Sequence, residues 1–171
     1  MRTEIDIPGV TLTPLTVHAD ERGSFVEIMR AEKYSDEFVQ SNHSRSRAGV
    51  LRGLHYHRHQ ADLWYCVRGR MQVGLADLRE PTGRPASTSL VLEADDPAVL
   101  YVPPGVAHGF LALTDLDLIY FVTRYFDASD EFGVPWDDPA LDIPWENTEP
   151  ILSERDRSAS PLRWEDIPSF S

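Results

Sequence analysis

Residues 49–75 of this 171-residue chain read GVLRGLHYHRHQADLWYCVRGRMQVGL, and this stretch decides the expected fold class. Met71, Val73 and Leu75 alternate with polar or small residues, which is the period of a β-strand whose two faces differ in polarity. The letters CVRGRM place a glycine-centred turn between this strand and the apolar run before it. The stretch therefore predicts short strands joined by a tight turn.

The same pattern continues as far as residue 123. Leu100–Val102 precedes PPG, and the β-prone runs FLAL and DLIYFVT follow. The best helix candidate in the first half is AEKYSDEF at residues 31–38. Residues 135–162 are rich in proline and acids, so we expect an irregular C-terminal tail that wraps over the core or is partly mobile. Many short strands separated by glycine and proline predict an all-β sandwich or small barrel.

Composition limits the cellular role. A chain of 171 residues predicts a single domain, spanning residues 1–171. A net charge of −12 argues against non-specific partners among nucleic acids and anionic membranes. The sequence has no apolar run of transmembrane length and no signal-peptide pattern at its N-terminus. With one cysteine, Cys66, and no export signal, we expect a cytoplasmic protein.

The histidines near the middle of the chain raise the possibility of a metal site. Residues two apart on a strand share a face, so His55, His57 and His59 would point into one cavity. His59 stands between an arginine and a glutamine, which favours a surface position for it. Asp62, together with His108 of the motif PPGVAH, completes a set that resembles the two metal-binding motifs of the cupin superfamily. Imidazole and carboxylate ligands suit a divalent transition metal.

A resemblance that spans almost the whole chain favours a different chemistry. It rests on ordered blocks, which read ADERGSFVE, QSNHSRSRAGVLRGLHY, GLADLRE, VPPGVAHGFLAL, LIYFVTRYFDASDEFGVPWDDPALDIPW and LSERD. In these blocks the chain resembles the dTDP-4-dehydrorhamnose 3,5-epimerase family (RmlC type), a cupin-fold family that works without metal. The resemblance implies a jelly-roll β-sandwich with a few short helices, no cofactor, a nucleotide-diphosphate sugar as substrate, and a homodimer.

The resemblance also implies residue roles. His55 falls on the catalytic base, Asp156 on the carboxylate that pairs with it, and Tyr120 on the acid that returns a proton to the opposite face of the sugar. A histidine–carboxylate pair is chemically suited to abstract a proton next to a ketone. The positions that fall on the lining of the nucleotide-sugar site are Arg22, Glu27, Gln40, Asn42, Arg52, His108 and Glu131.

This chain departs from the family pattern inside the site. Asp62 occupies the position of the family's active-site lysine, and an acid there would oppose a developing oxyanion. His57 stands where the family commonly has a residue that binds no metal. The two changes restore a cupin metal set of His55, His57, Asp62 and His108, in which a metal would take His55 away from its role as base.

The leading hypothesis is therefore a nucleotide-4-keto-6-deoxysugar epimerase that acts at C3, C5 or both, in deoxysugar biosynthesis. A metal-dependent cupin isomerase or oxygenase is the first alternative, with a divalent transition metal as cofactor. A non-catalytic sugar-nucleotide-binding protein is the second alternative, because the family's lysine is missing.

Overall fold

The computed structural model describes residues 3–80 and 84–170 and consists mainly of antiparallel β-strands. The strands are β1 (Thr3–Glu4), β2 (Thr11–Pro14), β3 (Val17–Asp20), β4 (Gly23–Val26), β5 (Gln40–Ser46), β6 (Leu51–Tyr56), β7 (Asp62–Arg68), β8 (Arg70–Asp77), β9 (Ser87–Glu93), β10 (Ala98–Val102), β11 (Val106–Ala112), β12 (Leu116–Val122) and β13 (Phe132–Gly133). One short α-helix, α1 (Glu154–Arg157), and three 3₁₀ turns complete the elements, the turns being Ala31–Lys33, Ala128–Asp130 and Trp164–Asp166. Within the described ranges no helix is long and apolar enough to span a membrane.

The strands form two main sheets with jelly-roll connectivity. The larger sheet has the order β1-β2-β10-β7-β12-β5 and the smaller sheet the order β13-β6-β11-β8-β9. From β5 onward the chain passes from one sheet to the other at each connection except the one between β8 and β9. The prediction of an all-β jelly roll with short helices is confirmed, and so is the glycine turn between β7 and β8.

The main core lies between the sheets, and a second apolar cluster covers the outer face of the smaller sheet. Leu75 and Leu100 belong to the first cluster, whereas Leu54 and Leu141 belong to the second. Both faces of β8 are therefore buried, whereas the sequence pattern predicted one apolar and one more polar face. On its outer face, Gln72 donates to the carbonyl oxygen of Pro144 at 2.7 Å. The acidic tail thus packs against this sheet with little regular structure, as an irregular tail was predicted to do.

The prediction of a helix at residues 31–38 is wrong. Only Ala31–Lys33 forms a single 3₁₀ turn. Tyr34 stacks on Tyr101 of β10 with ring centroids 6.1 Å apart, and Phe38 meets Phe121 of β12 edge-on at 6.5 Å. These aromatic contacts with the larger sheet favour an extended path, because a short isolated helix has little stability of its own.

A bulge in β6 brings Arg52 and His55, both predicted for the site, to the same face of the smaller sheet. His55 pairs with His108 of β11, and Arg52 pairs with Phe110. The two pairs are three residues apart on β6 but only two residues apart on β11, so β6 contains one extra residue. Gly53 lies in the bulge with φ +120°, and a Cβ atom there would stand 2.7 Å from the Cα of Gly109. Both strands therefore need glycine at their point of closest approach.

We predict that Gly53→Ala destabilises the fold more than a glycine substitution that strains the backbone without a clash. Gly49 is the matched control, because it also has positive φ but its added Cβ would meet nothing within 4 Å. Gly49→Ala should lower the free energy of unfolding by about 1–3 kcal/mol through backbone strain. Gly53→Ala should cost about 1–3 kcal/mol more, because it also overpacks the β6–β11 contact. Urea unfolding of both variants measures the difference, and equal losses would contradict the packing argument.

Candidate active site

One cavity of about 690 Å³ opens between the two sheets. Its walls come mainly from β5, β6, β7, β11 and β12, with further residues from the loops that follow β6 and β12 and from the α1 region. The residues predicted for the site that line it are Gln40, Asn42, Arg52, His55, His57, Asp62, His108, Tyr120, Glu131 and Asp156. His59, expected at the surface, is exposed at the cavity rim.

His55 and Asp156 form a hydrogen-bonded pair although 101 positions separate them in the sequence. The distance between His55 Nε2 and Asp156 Oδ1 is 2.7 Å. Asp156 lies in α1, where its backbone N–H donates to the Ser153 hydroxyl that caps the helix. Because a carboxylate only accepts hydrogen bonds, His55 Nε2 carries the hydrogen and Nδ1 is left as the basic nitrogen.

The environment of Asp156 keeps its carboxylate ionised. Burial would raise the pKa of this group. The hydrogen bond from His55, the charge of His55, and hydrogen bonds from Ser153 and the Gly53 backbone outweigh burial, so the pKa lies below its ordinary value. The pair is therefore suited to stabilise a protonated imidazole after His55 has accepted a proton.

Tyr120 lies on the sheet opposite to His55. It is on β12, where it pairs with Asn42 of β5 and Trp64 of β7. Burial and the negative charges of Asp62 and Glu131 raise the pKa of its hydroxyl, and Arg52 opposes that rise. Tyr120 is therefore a neutral O–H donor at physiological pH. The cavity thus has an imidazole–carboxylate pair on one wall and a tyrosine hydroxyl on the other.

His57, Asp62 and His108 form a second polar group in the same cavity. One ligand atom from each residue lies within 4.8 Å of the others. Burial lowers the pKa of His108, although the charge of Asp62 opposes this shift. His108 Nε2 and Asp62 Oδ2 are 3.8 Å apart, which is too far for a hydrogen bond. Of the four residues in the metal alternative, the structure thus groups three and pairs His55 with Asp156 instead.

Three arginines line the cavity together with five acidic residues. Arg52, Arg124 and Arg155 line it. Arg155 forms an ion pair with Glu131 at 2.7 Å, and Arg52 donates to the Ser46 hydroxyl at 3.0 Å. Guanidinium groups in this arrangement are chemically suited to bind phosphate oxygens.

Two residues that the resemblance placed at the site lie elsewhere in this chain. Arg22 and Glu27 belong to the β3–β4 hairpin region, which forms its own two-stranded sheet. Arg22 pairs with Asp20, and Glu27 accepts from Arg30 at 2.6 Å. Neither residue lines the cavity within a single chain.

The cavity also contains residues that were not predicted. Ser44 follows Gln40 and Asn42 at two-residue spacing on β5, so strand alternation is a signal that identifies it. Trp64 follows Asp62 at the same spacing on β7. The additions that lie outside the strands have no comparable spacing signal, and they include Arg124, Tyr125, Phe126, Asp130 and Arg155.

Comparison with known proteins places the whole chain in one family. The sequence model described as dTDP-4-dehydrorhamnose 3,5-epimerase matches residues 4–163. The spore coat polysaccharide biosynthesis protein SpsL of Bacillus subtilis is 41% identical over 149 residues, covering 84% of this chain and 98% of that protein.

Solved structures agree with the sequence comparison. The Legionella pneumophila epimerase RmlC, in complex with dTDP-4-keto-L-rhamnose, superposes with a TM-score of 0.91 at 30% identity, covering 100% of this chain and 98% of that one. The Bacillus anthracis dTDP-4-dehydrorhamnose 3,5-epimerase with TDP and PPi bound has a TM-score of 0.88 at 34% identity, covering 95% and 99%. This chain belongs to the dTDP-4-dehydrorhamnose 3,5-epimerase family.

Proposed function

We propose that this protein epimerises a nucleotide-diphosphate 4-keto-6-deoxyhexose, such as a dTDP sugar, at C3, C5 or both. The observation that carries the proposal is the placement of a His55–Asp156 pair and Tyr120 on opposite sheets around one cavity. An epimerase needs a base and an acid on the two faces of the sugar ring. A binding protein without activity would not need them.

The proposed reaction uses the acidity of carbon atoms next to the ketone. His55 Nδ1 takes the proton from C3 or C5, and the electron pair of that C–H bond moves into the ring to give an enolate on the C4 oxygen. Asp156 stabilises the protonated imidazole through its 2.7 Å hydrogen bond. Tyr120 then gives its proton to the same carbon from the opposite face, which inverts the configuration.

The rest of the cavity serves recognition in this proposal. Arg52, Arg124 and Arg155 supply charge for the diphosphate, and Gln40 and Asn42 offer amide groups for hydroxyl or base atoms.

The ketone itself makes the proton acidic, so the proposed reaction requires no organic cofactor. We further propose that residues 1–171 act as one cytoplasmic domain, consistent with the single free cysteine.

The exposed hairpin supports a homodimer as the working form. Strands β3 and β4 pair only with each other among the described residues, and Phe25 at their outer surface is 65% exposed. Arg22 and Glu27 do not line the cavity of their own chain. We therefore propose that the hairpin docks on a second copy and delivers both residues to that copy's cavity.

Removal of the base should stop proton exchange. We expect His55→Gln to lower deuterium incorporation from D₂O into a dTDP-4-keto-6-deoxyhexose by roughly 10²- to 10⁴-fold, the usual worth of a general base. Asp156→Asn should lower kcat with little change in KM, because its amide has no charge to stabilise the imidazolium. Mass spectrometry of the sugar measures the rate of deuterium incorporation in both variants. His43→Gln is the matched control, since His43 lies on the outer face of β5 with Asp117 and should leave exchange unchanged. Undiminished exchange in His55→Gln would contradict the assignment.

Removal of the acid should separate exchange from inversion. In Tyr120→Phe we expect His55 to continue exchanging deuterium into recovered substrate, while epimer formation falls by roughly 10²- to 10⁴-fold. NMR of the substrate and product distinguishes the two events. Tyr101→Phe removes a hydroxyl that donates to Asp36, outside the cavity, and serves as the control. Epimer formation at the wild-type rate would exclude Tyr120 as the acid.

The hairpin should control association. We expect Phe25→Ser to shift the protein from dimer to monomer in sedimentation velocity, because it removes exposed apolar area that a partner would bury. Tyr125→Ser removes an aromatic ring that is 72% exposed at the cavity, and it should leave association unchanged. A wild-type monomer at micromolar concentration would contradict the proposed dimer.

A further inference from the structure

The proposed mechanism leaves three polar side chains of the cavity without a role. His57 follows β6, Asp62 begins β7, and His108 lies within β11, and their nearest ligand atoms converge within 4.8 Å. Asp62 is only 3% exposed and His108 only 6%. Burial of this much polarity is costly unless the groups are partnered.

Hydrogen bonds at Nδ1 determine the tautomers of His57 and His108. His57 Nδ1 is 2.8 Å from the carbonyl oxygen of Asp130, and His108 Nδ1 is 2.9 Å from that of Val106. A carbonyl oxygen only accepts, so both Nδ1 atoms carry hydrogen, and Nε2 is the nitrogen that keeps a lone pair in the neutral form of each ring. The Nε2 lone pairs are thus the ligand atoms that the two neutral imidazoles have available beside the Asp62 carboxylate, whose Oδ2 lies 3.8 Å from His108 Nε2.

The surroundings of Asp62 hold its carboxylate in place. Gln60 donates to Oδ1 at 2.9 Å, and the Trp64 indole donates to Oδ2 at 3.2 Å. Hydrogen bonds of this kind, like those on the Nδ1 atoms of the histidines, are the usual outer support of metal ligands. The 3.8 Å gap between His108 Nε2 and Asp62 Oδ2 is too long for a hydrogen bond. Two metal–ligand bonds of roughly 2.0–2.2 Å each can span such a gap.

We propose that His57 Nε2, His108 Nε2 and the Asp62 carboxylate bind one divalent transition metal ion. Two imidazoles and a carboxylate suit zinc, iron, nickel or cobalt. A site with three protein ligands leaves coordination positions open to the cavity, as in catalytic rather than structural metal sites. This set differs from a four-ligand site in that His55 keeps its hydrogen bond to Asp156.

The position of the site suggests its role, which rests on the proposed epimerase function. His108 is the cross-strand partner of His55, so the three ligands lie beside the base. A bound ion there would supply Lewis acidity to a substrate oxygen. The base, its carboxylate and Tyr120 would retain the roles already described.

Cobalt(II) is a suitable probe, because its visible absorption reports ligand number and type independently of activity. The full-length protein, stripped with chelator, is titrated with CoCl₂, and absorption and calorimetry measure binding. We expect one ion per chain. Asp62→Asn and His57→Gln should each weaken cobalt binding by roughly 10- to 100-fold or more. Loss of a residue that only supports a metal ligand already costs this much, and each variant removes a ligand itself. His59→Gln, from the same stretch but outside the cluster, should bind as the wild type does.

The outcomes separate this proposal from the proposed function. Circular dichroism identifies variants that fail to fold, and His57, which is only half-buried, keeps the test valid if Asp62→Asn is unstable. Failure of the wild type to bind cobalt would overturn the metal site, and so would binding unchanged in His57→Gln. The metal site would be supported if the wild type binds one cobalt ion per chain and the ligand variants lose that binding. This holds even if no deuterium exchange is found and the proposed function fails.

Discussion

The close contact between β6 and β11 is the constraint on which the rest of the site depends. At Gly53 and Gly109 the two backbones approach so closely that neither strand has room for a side chain. The extra residue in β6 turns Arg52 and His55 to the same side, which a regular strand would not do. A feature of backbone packing therefore places a cation and a base in the same cavity. The positions of these two side chains therefore follow from the steric requirement at the glycines.

The cavity separates two polar groups that the sequence places side by side. His55 and His57 are two residues apart, yet one bonds to the carboxylate of α1 and the other to the Asp130 carbonyl. These different partners give the two imidazoles different exposed nitrogens, Nδ1 in the first and Nε2 in the second. One histidine is thereby suited to accept a proton and the other to bind a cation. Neighbouring residues of one type can thus have distinct chemistry.

Much of the fold was predictable from local patterns, and the site was predictable only in part. Strand alternation and glycine turns identified most of the sandwich, because period-two patterning is a local property. The helix expected at residues 31–38 failed because Tyr34 and Phe38 pack on a distant sheet. No spacing rule connects His55 with Asp156, and the family resemblance alone suggested that pair. The position of Arg22 in a separate two-stranded sheet likewise depends on the tertiary structure and could not be predicted from local sequence.

The 101-residue separation of His55 and Asp156 also has a consequence for biosynthesis. Most of the sandwich precedes α1 in the chain, so its strands emerge from the ribosome before the carboxylate does. The same late segment supplies the residues that cover the outer face of the smaller sheet, including Leu162 and Trp164. A nascent chain therefore has its histidine long before it has the partner that orients it. The His55–Asp156 hydrogen bond therefore forms only after α1, which follows the strands in the chain, has been synthesised.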